Sequence, residues 1–297
     1  CERHPEFVSA PDRIEEMVEL LVGSVATCHV SSRHMRLKCM THVVRGLDAS
    51  GGSGSSRHPK QAANIPKSTG EVLLCLKDSN GKTREAAYQL LLAMAEVRGD
   101  MPDFFRIVGA ALAAQTAHMR SAAVMALSRL AFEYARTDES VQDLLPSALS
   151  AVVVLFDETS REVTKAAVGF VRVCVAAMEP SRLEPLLPDV VGGLMKYGRG
   201  KGRFRAKIKI VLKRLARTFG YDKIASLVPE SDARLVTHMR KLAERAERRR
   251  AAGRADGADG GRTVFDDMME SDEEDSDDGR TFMTGATGFT RMTAASG

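Results

Sequence analysis

The segment Val163-Thr-Lys-Ala-Ala167 is one of five related five-residue segments in this chain. Each begins with an apolar residue or Thr, usually continues with Arg, and ends on residues of the kind that pack inside a helix bundle. The second positions lie 48, 36, 44 and 41 residues apart, a spacing typical of HEAT and armadillo helix pairs. Two segments follow an acid, Asp78 or Asp157, that we expect to cap the second helix or its turn. The other segments are Met35-Arg-Leu-Lys-Cys39, Thr83-Arg-Glu-Ala-Ala87, Met119-Arg-Ser-Ala-Ala123 and Phe204-Arg-Ala-Lys-Ile208.

The sequence around these segments has the period of a helix. Apolar residues recur every three or four positions from Ile14 to Phe219, and β-branched runs are few. A helix pair cannot bury its apolar face alone, so small residues such as Ala87, Ala123 and Ala167 would let one pair pack closely on the next. We therefore predict an all-α, HEAT/armadillo-like helical-repeat solenoid. A generic helical bundle with accidental similarity is the alternative.

Composition divides the chain into a repeat body and a tail. The repeats are expected over residues 11–228, with a flexible Gly/Ser insertion at 49–58 that accounts for the longer first interval. Residues 231–250 are predicted to form one highly charged helix. Residues 251–297 are rich in Gly, Asp, Ser and Thr, with little to bury, which predicts a disordered acidic C-terminal tail.

Charge is distributed unevenly along the chain. Residues 251–297 carry 4 basic and 11 acidic residues, whereas the preceding 250 carry 39 basic and 28 acidic residues. A basic body indicates a polyanionic partner such as nucleic acid. Aromatic residues make up only 5% of the chain and Trp is absent, which argues against a single-strand binder built on base stacking. Binding would therefore depend on charge and shape.

The most concentrated cationic segment runs from Lys196 to Arg217 and contains no acidic residue. Phe204, Ile208, Leu212 and Leu215 share one face of a predicted helix there, with most cations outside it. Exposed helix faces usually mix charges, so a purely cationic face predicts a bound polyanion; a bland solvated face is the alternative. The candidate RNA-binding residues are Lys196, Arg199, Lys201, Arg203, Arg205, Lys207, Lys209, Lys213, Arg214 and Arg217. Those expected outside the apolar face include Arg203, Arg205, Lys207, Lys209, Lys213 and Arg217.

Several stretches at this end of the chain resemble a known family. The run from Gly202 to Tyr221, with Leu227-Val-Pro-Glu230 and the basic residues of 239–250, looks like the C-terminal end of the ribosomal RNA-processing protein twelve family. The segments 126–133 and 166–173 are similar to the HEAT repeats that precede it in that family. The resemblance covers roughly residues 70–250 and is weak over the first 65 residues.

The resemblance implies a long HEAT-repeat protein of the nucleus and nucleolus that binds RNA and protein. Such a protein would serve pre-rRNA processing and the assembly and export of pre-ribosomal subunits. Its partners would be pre-ribosomal RNA, assembly factors, ribosomal proteins and nuclear transport factors. A karyopherin-like nuclear transport receptor and a regulatory subunit of an enzyme complex are the alternative functions. Karyopherins are usually acidic because their cargo is basic, and a regulatory subunit needs no cation-only helix, so both are less favoured.

The charged C-terminal region carries two candidate signals. Basic clusters at 240–241 and 248–250 have the spacing of a two-part nuclear localisation signal; the alternative is a surface helix in which Glu244 and Glu247 pair with the cations. The candidate signal residues are Arg240, Lys241, Arg248, Arg249 and Arg250. Nine acids within residues 266–278 surround Ser271 and Ser276, which we expect to be sites for an acid-directed kinase. An unmodified solubilising tail is equally compatible with that composition.

No sequence signature points to an enzyme, a cofactor or a small-molecule substrate. The chain contains no GxSxG, HExxH or GxxxxGK[ST] motif. Its five cysteines are widely spaced and include no CxxC, which argues against a disulfide framework and a zinc ribbon and fits a reducing compartment. A zinc site from Cys28, His34, Cys39 and His42 is conceivable, but Cys39 aligns with the Ala slot of other repeats, which predicts a buried, inert thiol.

Two further features concern the ends and the membrane. Apolar runs such as Ala148 to Phe156 fall short of the roughly 20 residues that cross a bilayer, so no membrane span is predicted. The chain begins with Cys1 rather than Met, from which we expect upstream sequence to be missing.

Overall fold

The computed structural model describes residues 11–24, 27–49, 64–198 and 204–251. Every regular element within these ranges is a helix, which confirms the predicted all-α class. Most of the predicted insertion 49–58 and of the predicted tail 251–297 lies outside the described residues.

The helices follow one another as pairs joined by short turns. In the described ranges they are α1 Pro11–Gly23, α2 Arg33–Ala49, α3 Asn64–Cys75, α4 Gly81–Arg98, α5 Met101–Ala110, α6 Ala117–Tyr134, α7 Glu139–Val154, α8 Arg161–Ala177, α9 Pro180–Leu183, α10 Leu187–Gly198, α11 Phe204–Phe219, α12 Tyr221–Leu227 and α13 Ala233–Ala251.

The pairs stack into two layers of helices. The second helices of successive pairs pack in the order α2, α4, α6, α8 and α11. The first helices pack in a parallel series through α3, α5, α7, α10 and α12. Each pair therefore contacts mainly its neighbours in sequence, which is the arrangement of a HEAT/armadillo-like solenoid. The predicted fold class is confirmed.

The second helices bury equivalent positions. Ala86 and Ala87 of α4, Ala122 and Ala123 of α6, and Ala166 and Ala167 of α8 are all buried. One turn later the same helices bury Leu90 and Leu91, Ala126 and Leu127, and Phe170 and Val171. The intervals of 36 and 44 residues predicted from the segments therefore match the packing register. Small side chains at the first pair of positions let the helices approach closely.

Helix α2 departs from the predicted register by two residues. Its buried pairs are Arg36 with Leu37 and Met40 with Thr41, which align with α4 at an interval of 50 residues instead of 48. Cys39 consequently leaves the Ala slot and is only half-buried, so the predicted buried thiol is wrong. Arg36 tolerates burial because Glu71 pairs with its guanidinium and its Nε donates to the Leu21 carbonyl at 2.8 Å.

The two upstream acids play different roles. The Asp78 carboxylate accepts a hydrogen bond from the Asn80 backbone N–H at 2.8 Å, which confirms its predicted place in the turn. Asn80 then caps α4 by accepting from the Lys82 N–H at 2.9 Å. Asp157 instead forms an ion pair with Lys196, so the predicted cap at this position is wrong. Its carboxylate points to the next helix pair rather than to its own turn.

Residues 139–157 form a helical segment that is long and apolar enough, by length and composition, to cross a membrane. The short apolar runs did not predict such a segment. Within it, Val141, Leu145, Leu149 and Val152 recur every three or four residues and are fully buried. This helix packs against α5, α8 and α10. Core helices of soluble proteins meet the same criterion, so the segment is weak evidence for a membrane.

Helix α10 approaches the end of this segment very closely. A Cβ added at Gly193 would lie 2.7 Å from Cδ2 of Phe156, a distance that real side chains do not adopt. The Phe156 ring also contacts the Tyr197 ring, with centroids 6.0 Å apart. Gly193 is therefore needed for the packing of α10, the helix that precedes the cationic segment.

Candidate nucleic-acid interface

Helix α11 has a buried apolar face. Ile208, Leu212 and Leu215 are between 0 and 2% exposed, which confirms their predicted common face. The side chain of Phe204 lies outside the described residues. The helix packs against α8, α10 and α12, so its orientation in the solenoid is set by three neighbours.

The opposite face of α11 is exposed and cationic. It carries Lys209, Lys213, Arg214 and Arg217, all exposed. Lys209, Lys213 and Arg217 follow one another at intervals of four residues and therefore lie along one line of the helix surface. None of the four forms an ion pair with another residue of the described part of the chain. We call these four residues the cationic face of α11.

Lys207 does not belong to this face. It is 8% exposed, so the expectation that it lies outside the apolar face is wrong. In the repeat register Lys207 takes the slot of Ala166, and the interval of 41 residues already contained that information. A Lys stem can be buried along apolar surface while its ammonium reaches a polar partner. Lys207 interacts with another residue, and its side chain is buried in the packing of α11.

The remaining predicted RNA-binding residues either have an ionic partner or have side chains outside the described residues. Lys196 is exposed but forms an ion pair with Asp157. Arg205 belongs to α11, and its side chain lies outside the described residues. Arg199, Lys201 and Arg203 lie outside the described residues entirely. The structure therefore brings together four of the ten predicted cations on one exposed surface.

Ion pairs between successive helix pairs neutralise cations elsewhere on the surface. Arg182 pairs with Asp143 at 2.7 Å, Lys196 with Asp157, and Lys223 with Glu184. Each of these cations lies 39 residues after its acid, so the ion pairs repeat with the solenoid. Exposed pairs of this kind stabilise the fold by only about 0–1 kcal/mol each. Their main consequence here is that these cations already have a counter-charge.

A second set of polar contacts joins the turn after α3 to α6 and α8. The Lys77 ammonium donates to Ser121 and to the Glu162 carboxylate, and His118 contacts Glu162 at 3.3 Å. Partial burial raises the pKa of Glu162, but the hydrogen bonds from Lys77 and His118 outweigh this effect and lower it below its usual value. Glu162 is therefore held as a carboxylate by these two partners.

In α4 and α6, the Arg at the second position of the repeat segment holds the turn before its own helix. Arg84 Nη1 donates to the carbonyls of Asp78 and Ser79, at 2.9 and 3.1 Å. Arg120 Nη1 donates to the carbonyls of Ala114 and Gln115, at 2.7 and 2.8 Å. The recurrence of Arg was visible in the sequence, but this structural role was not. These contacts account for Arg84 and Arg120 in the repeat pattern, so no bound ligand is needed to explain them.

Helix α13 presents further exposed cations. Arg240 is paired with Asp222 at 2.7 Å and with Glu244 at 3.4 Å, as expected if this cluster is a surface helix. Lys241 and Arg248 are exposed, while the side chains of Arg249 and Arg250 lie outside the described residues. The predicted localisation signal remains a prediction. Ser271 and Ser276 also lie outside the described residues.

Metal-ligating and nucleophilic side chains do not cluster in the part of the chain that the structure describes. No group of three or more His, Cys, Asp or Glu side chains there could hold a metal ion. Burial raises the pKa of the Cys75 thiol to about 11, with a smaller contribution from Glu71, and burial also raises the pKa of Cys174. Both thiols are therefore held in the protonated, weakly nucleophilic form.

Comparison with curated proteins identifies several relatives. Ribosomal RNA-processing protein 12 of Saccharomyces cerevisiae is 28% identical over 90% of this chain and 23% of its own length. The putative ribosomal RNA-processing protein 12 of Schizosaccharomyces pombe is 30% identical over 64% of this chain and 17% of its own. The RRP12-like protein of Homo sapiens is 27% identical over 84% of this chain and 19% of its own. The chain thus spans about a fifth of the length of these relatives.

Comparison with family models and with solved structures adds little. No family model matches the chain. A computationally designed armadillo repeat protein for modular peptide recognition aligns with 75% of this chain and 98% of its own, at 15% identity and a TM-score of 0.40.

Proposed function

We propose that this chain, a relative of ribosomal RNA-processing protein 12, is a non-enzymatic scaffold that binds RNA and protein during ribosomal RNA processing. In this proposal it acts in the nucleus and nucleolus and serves the assembly and export of pre-ribosomal subunits. Pre-ribosomal RNA, assembly factors and ribosomal proteins are its partners. The single observation that carries the proposal is the cationic face of α11.

Four cations on one helix face, with no ionic partner among the described residues, are unfavourable without a counter-charge. The positive side chains repel one another, and the nearest neighbours along the helix lie roughly 5–6 Å apart. Several other surface cations of the solenoid, including the half-buried Arg182 and the exposed Lys196 and Lys223, already have acidic partners. A phosphate backbone would relieve the repulsion and release its own condensed counterions. The charge pattern therefore favours RNA over a solvated surface.

The test replaces all four residues of the cationic face by Gln in the full chain. Binding of a single-stranded RNA is measured across a range of salt concentrations. The log–log slope of affinity against salt changes by about 0.7 for each phosphate contact that is lost, so the quadruple variant is expected to flatten it by up to about 2.8. Thermal unfolding should shift little, because exposed substitutions usually change stability by at most about 0.5 kcal/mol each.

A control variant removes the same number of charges from paired cations. It replaces Arg182, Lys196, Lys223 and Arg240 by Gln, so the net charge of the two variants is equal. Only the variant of the cationic face should lose RNA affinity and salt dependence. Unchanged RNA binding in the folded quadruple variant, or an equal loss in the control, would reject α11 as the RNA contact.

A further inference from the structure

Helix α13 carries a line of exposed basic side chains on the side opposite its packed face. Among the side chains that the structure describes on this helix, only Val236 and Met239 are buried. Five basic side chains recur every three or four residues and are all exposed: Arg234, His238, Lys241, Arg245 and Arg248. At 3.6 residues per turn, these five lie within about 80° of one another and roughly opposite the two buried residues. We call these five residues the outer line of α13.

The outer line is long, and its charges are not neutralised within the described part of the chain. Residues 234 and 248 are fourteen positions apart, so the line extends over about 21 Å. Its successive members lie one turn apart, and like charges at that distance destabilise a helix. None of its Arg and Lys side chains forms an ion pair with another described residue, whereas Arg240, which lies outside the line, pairs with Asp222 and Glu244. A bound polyanion would supply the missing counter-charge.

The composition of α13 favours a double-stranded ligand over a single strand. The helix contains no Phe, Tyr or Trp, whereas proteins that bind single strands combine positive charge with aromatic side chains on which the bases stack. Double-stranded RNA is recognised mostly by its shape and by contacts to phosphates and 2′-hydroxyl groups, which require no aromatic side chain. A duplex also holds its phosphates in fixed rows, so a straight line of cations contacts several of them without the cost of ordering a flexible strand.

We propose that the outer line of α13 binds the phosphate backbone of a double-stranded RNA segment. The inference rests on the proposed function of RNA binding, but it does not require α11 to be a contact. It also differs from the predicted localisation signal. Arg234 and Arg245 belong to the outer line but to neither basic cluster of that signal, whereas Arg240 belongs to the signal but not to the line. Different substitutions therefore test the two roles.

The test combines Arg234→Gln and Arg245→Gln in the full chain, which leaves both basic clusters of the predicted signal intact. Binding of a blunt-ended RNA duplex and of a single strand of the same length is measured by fluorescence anisotropy across a range of salt concentrations. Each lost phosphate contact in a duplex flattens the log–log slope of affinity against salt by about 0.9, so this variant is expected to flatten it by up to about 1.8. At low salt the duplex should bind several-fold more weakly, and the single strand should be affected less.

Two further variants control for net charge and for helix formation. Lys223→Gln with Arg240→Gln removes the same number of charges from cations that have acidic partners, and should leave duplex binding unchanged. Arg234→Lys with Arg245→Lys retains both charges and should retain the affinity and its salt dependence. Arg, Lys and Gln have similar helix propensities, so circular dichroism should show the same helix content in all of these variants.

Four results would overturn the proposal. They are unchanged duplex affinity in the Gln variant, an equal loss in the control with paired cations, an equal loss in the Lys variant, and an equal loss of affinity for the single strand. The quadruple variant of α11 is measured on the same two RNAs. If it loses RNA affinity while the α13 variant does not, only the present inference is rejected. If the α13 variant alone loses duplex affinity, only α11 is rejected as the RNA contact.

Discussion

Helices α8 and α11 are neighbours in the same layer and bury equivalent positions. Their charged side chains differ in whether they have ionic partners. Helix α8 carries both signs, and its charged side chains interact with neighbouring residues: Glu162 with Lys77, and Arg161, Lys165 and Arg172 with other groups. Helix α11 carries only cations, and four of them have no ionic partner in the described part of the chain. The buried faces maintain the solenoid, and the unburied face of α11 is available for a ligand.

Truncating one buried residue in each helix tests whether α8 and α11 belong to the same packed layer. Phe170→Ala in α8 should destabilise the protein by about 3–5 kcal/mol and Leu212→Ala in α11 by about 2–5 kcal/mol, because both side chains are fully buried. Denaturant unfolding measures both losses. If Leu212→Ala costs less than about 1 kcal/mol, α11 is not part of the same packed layer.

A smaller effect is expected in α10, which packs beside α11. Gly193→Ala places a methyl group 2.7 Å from the Phe156 ring and should cost about 1–3 kcal/mol through overpacking. Gly192→Ala is the control, because nothing lies within 4 Å of its added Cβ. That control should be neutral or more stable by up to about 1 kcal/mol, since Ala favours the helix. Equal stability of the two variants would contradict the close approach.

Lys207 and Lys209 lie two residues apart on α11, but Lys207 is buried and Lys209 is exposed. Substitutions at these two positions therefore separate packing from RNA binding. Lys207→Ala restores the residue found in this slot of three other helices, and should change stability by about 1 kcal/mol, in either sense, with little change in RNA binding. Lys209→Ala should leave stability within about 0.5 kcal/mol and flatten the salt dependence of RNA affinity by about 0.7. The reverse assignment of effects would show that Lys207, not Lys209, faces the RNA.

The smallest effect concerns the paired charges of α8. The lowered pKa of Glu162 means that its contribution to stability is present above its ordinary value of 4.5 and is lost as the pH falls through the lower folded value. Glu162→Gln should therefore reduce stability at pH 7 by less than about 1 kcal/mol, since the side chain is 41% exposed, and the difference should vanish in strong acid. Glu16→Gln, at an exposed position of α1, is the control and should change stability at pH 7 by at most about 0.5 kcal/mol in urea unfolding.

Much of the fold was predictable because its signals are local. The three- and four-residue period predicts helices, and small residues at a fixed spacing predict the stacking of α4, α6 and α8. The first interval was misplaced by two residues because Arg36, a residue type that is rarely buried, occupies an Ala slot. The ion pair with Glu71, 35 residues away, and the hydrogen bond to the Leu21 carbonyl, 15 residues away, make that burial possible.

The candidate interface was predictable only in part. Residues Lys209, Lys213 and Arg217 were expected outside the apolar face and are exposed, whereas Lys207 was misassigned although the repeat register placed it opposite Ala166. The availability of a cation also depends on its partners. Lys196 lies in the same acid-free segment as the other candidate cations, but its ionic partner, Asp157, belongs to the preceding helix pair.

The amino-acid sequence was sufficient for the helical class, the repeat intervals beyond α2 and the position of the cationic segment, because periodicity and composition act over a few residues. Tertiary packing determined which cations of the described residues have an acidic partner, because the compensating acids lie 39 residues away and meet Lys196 or Lys223 only when successive helix pairs stack.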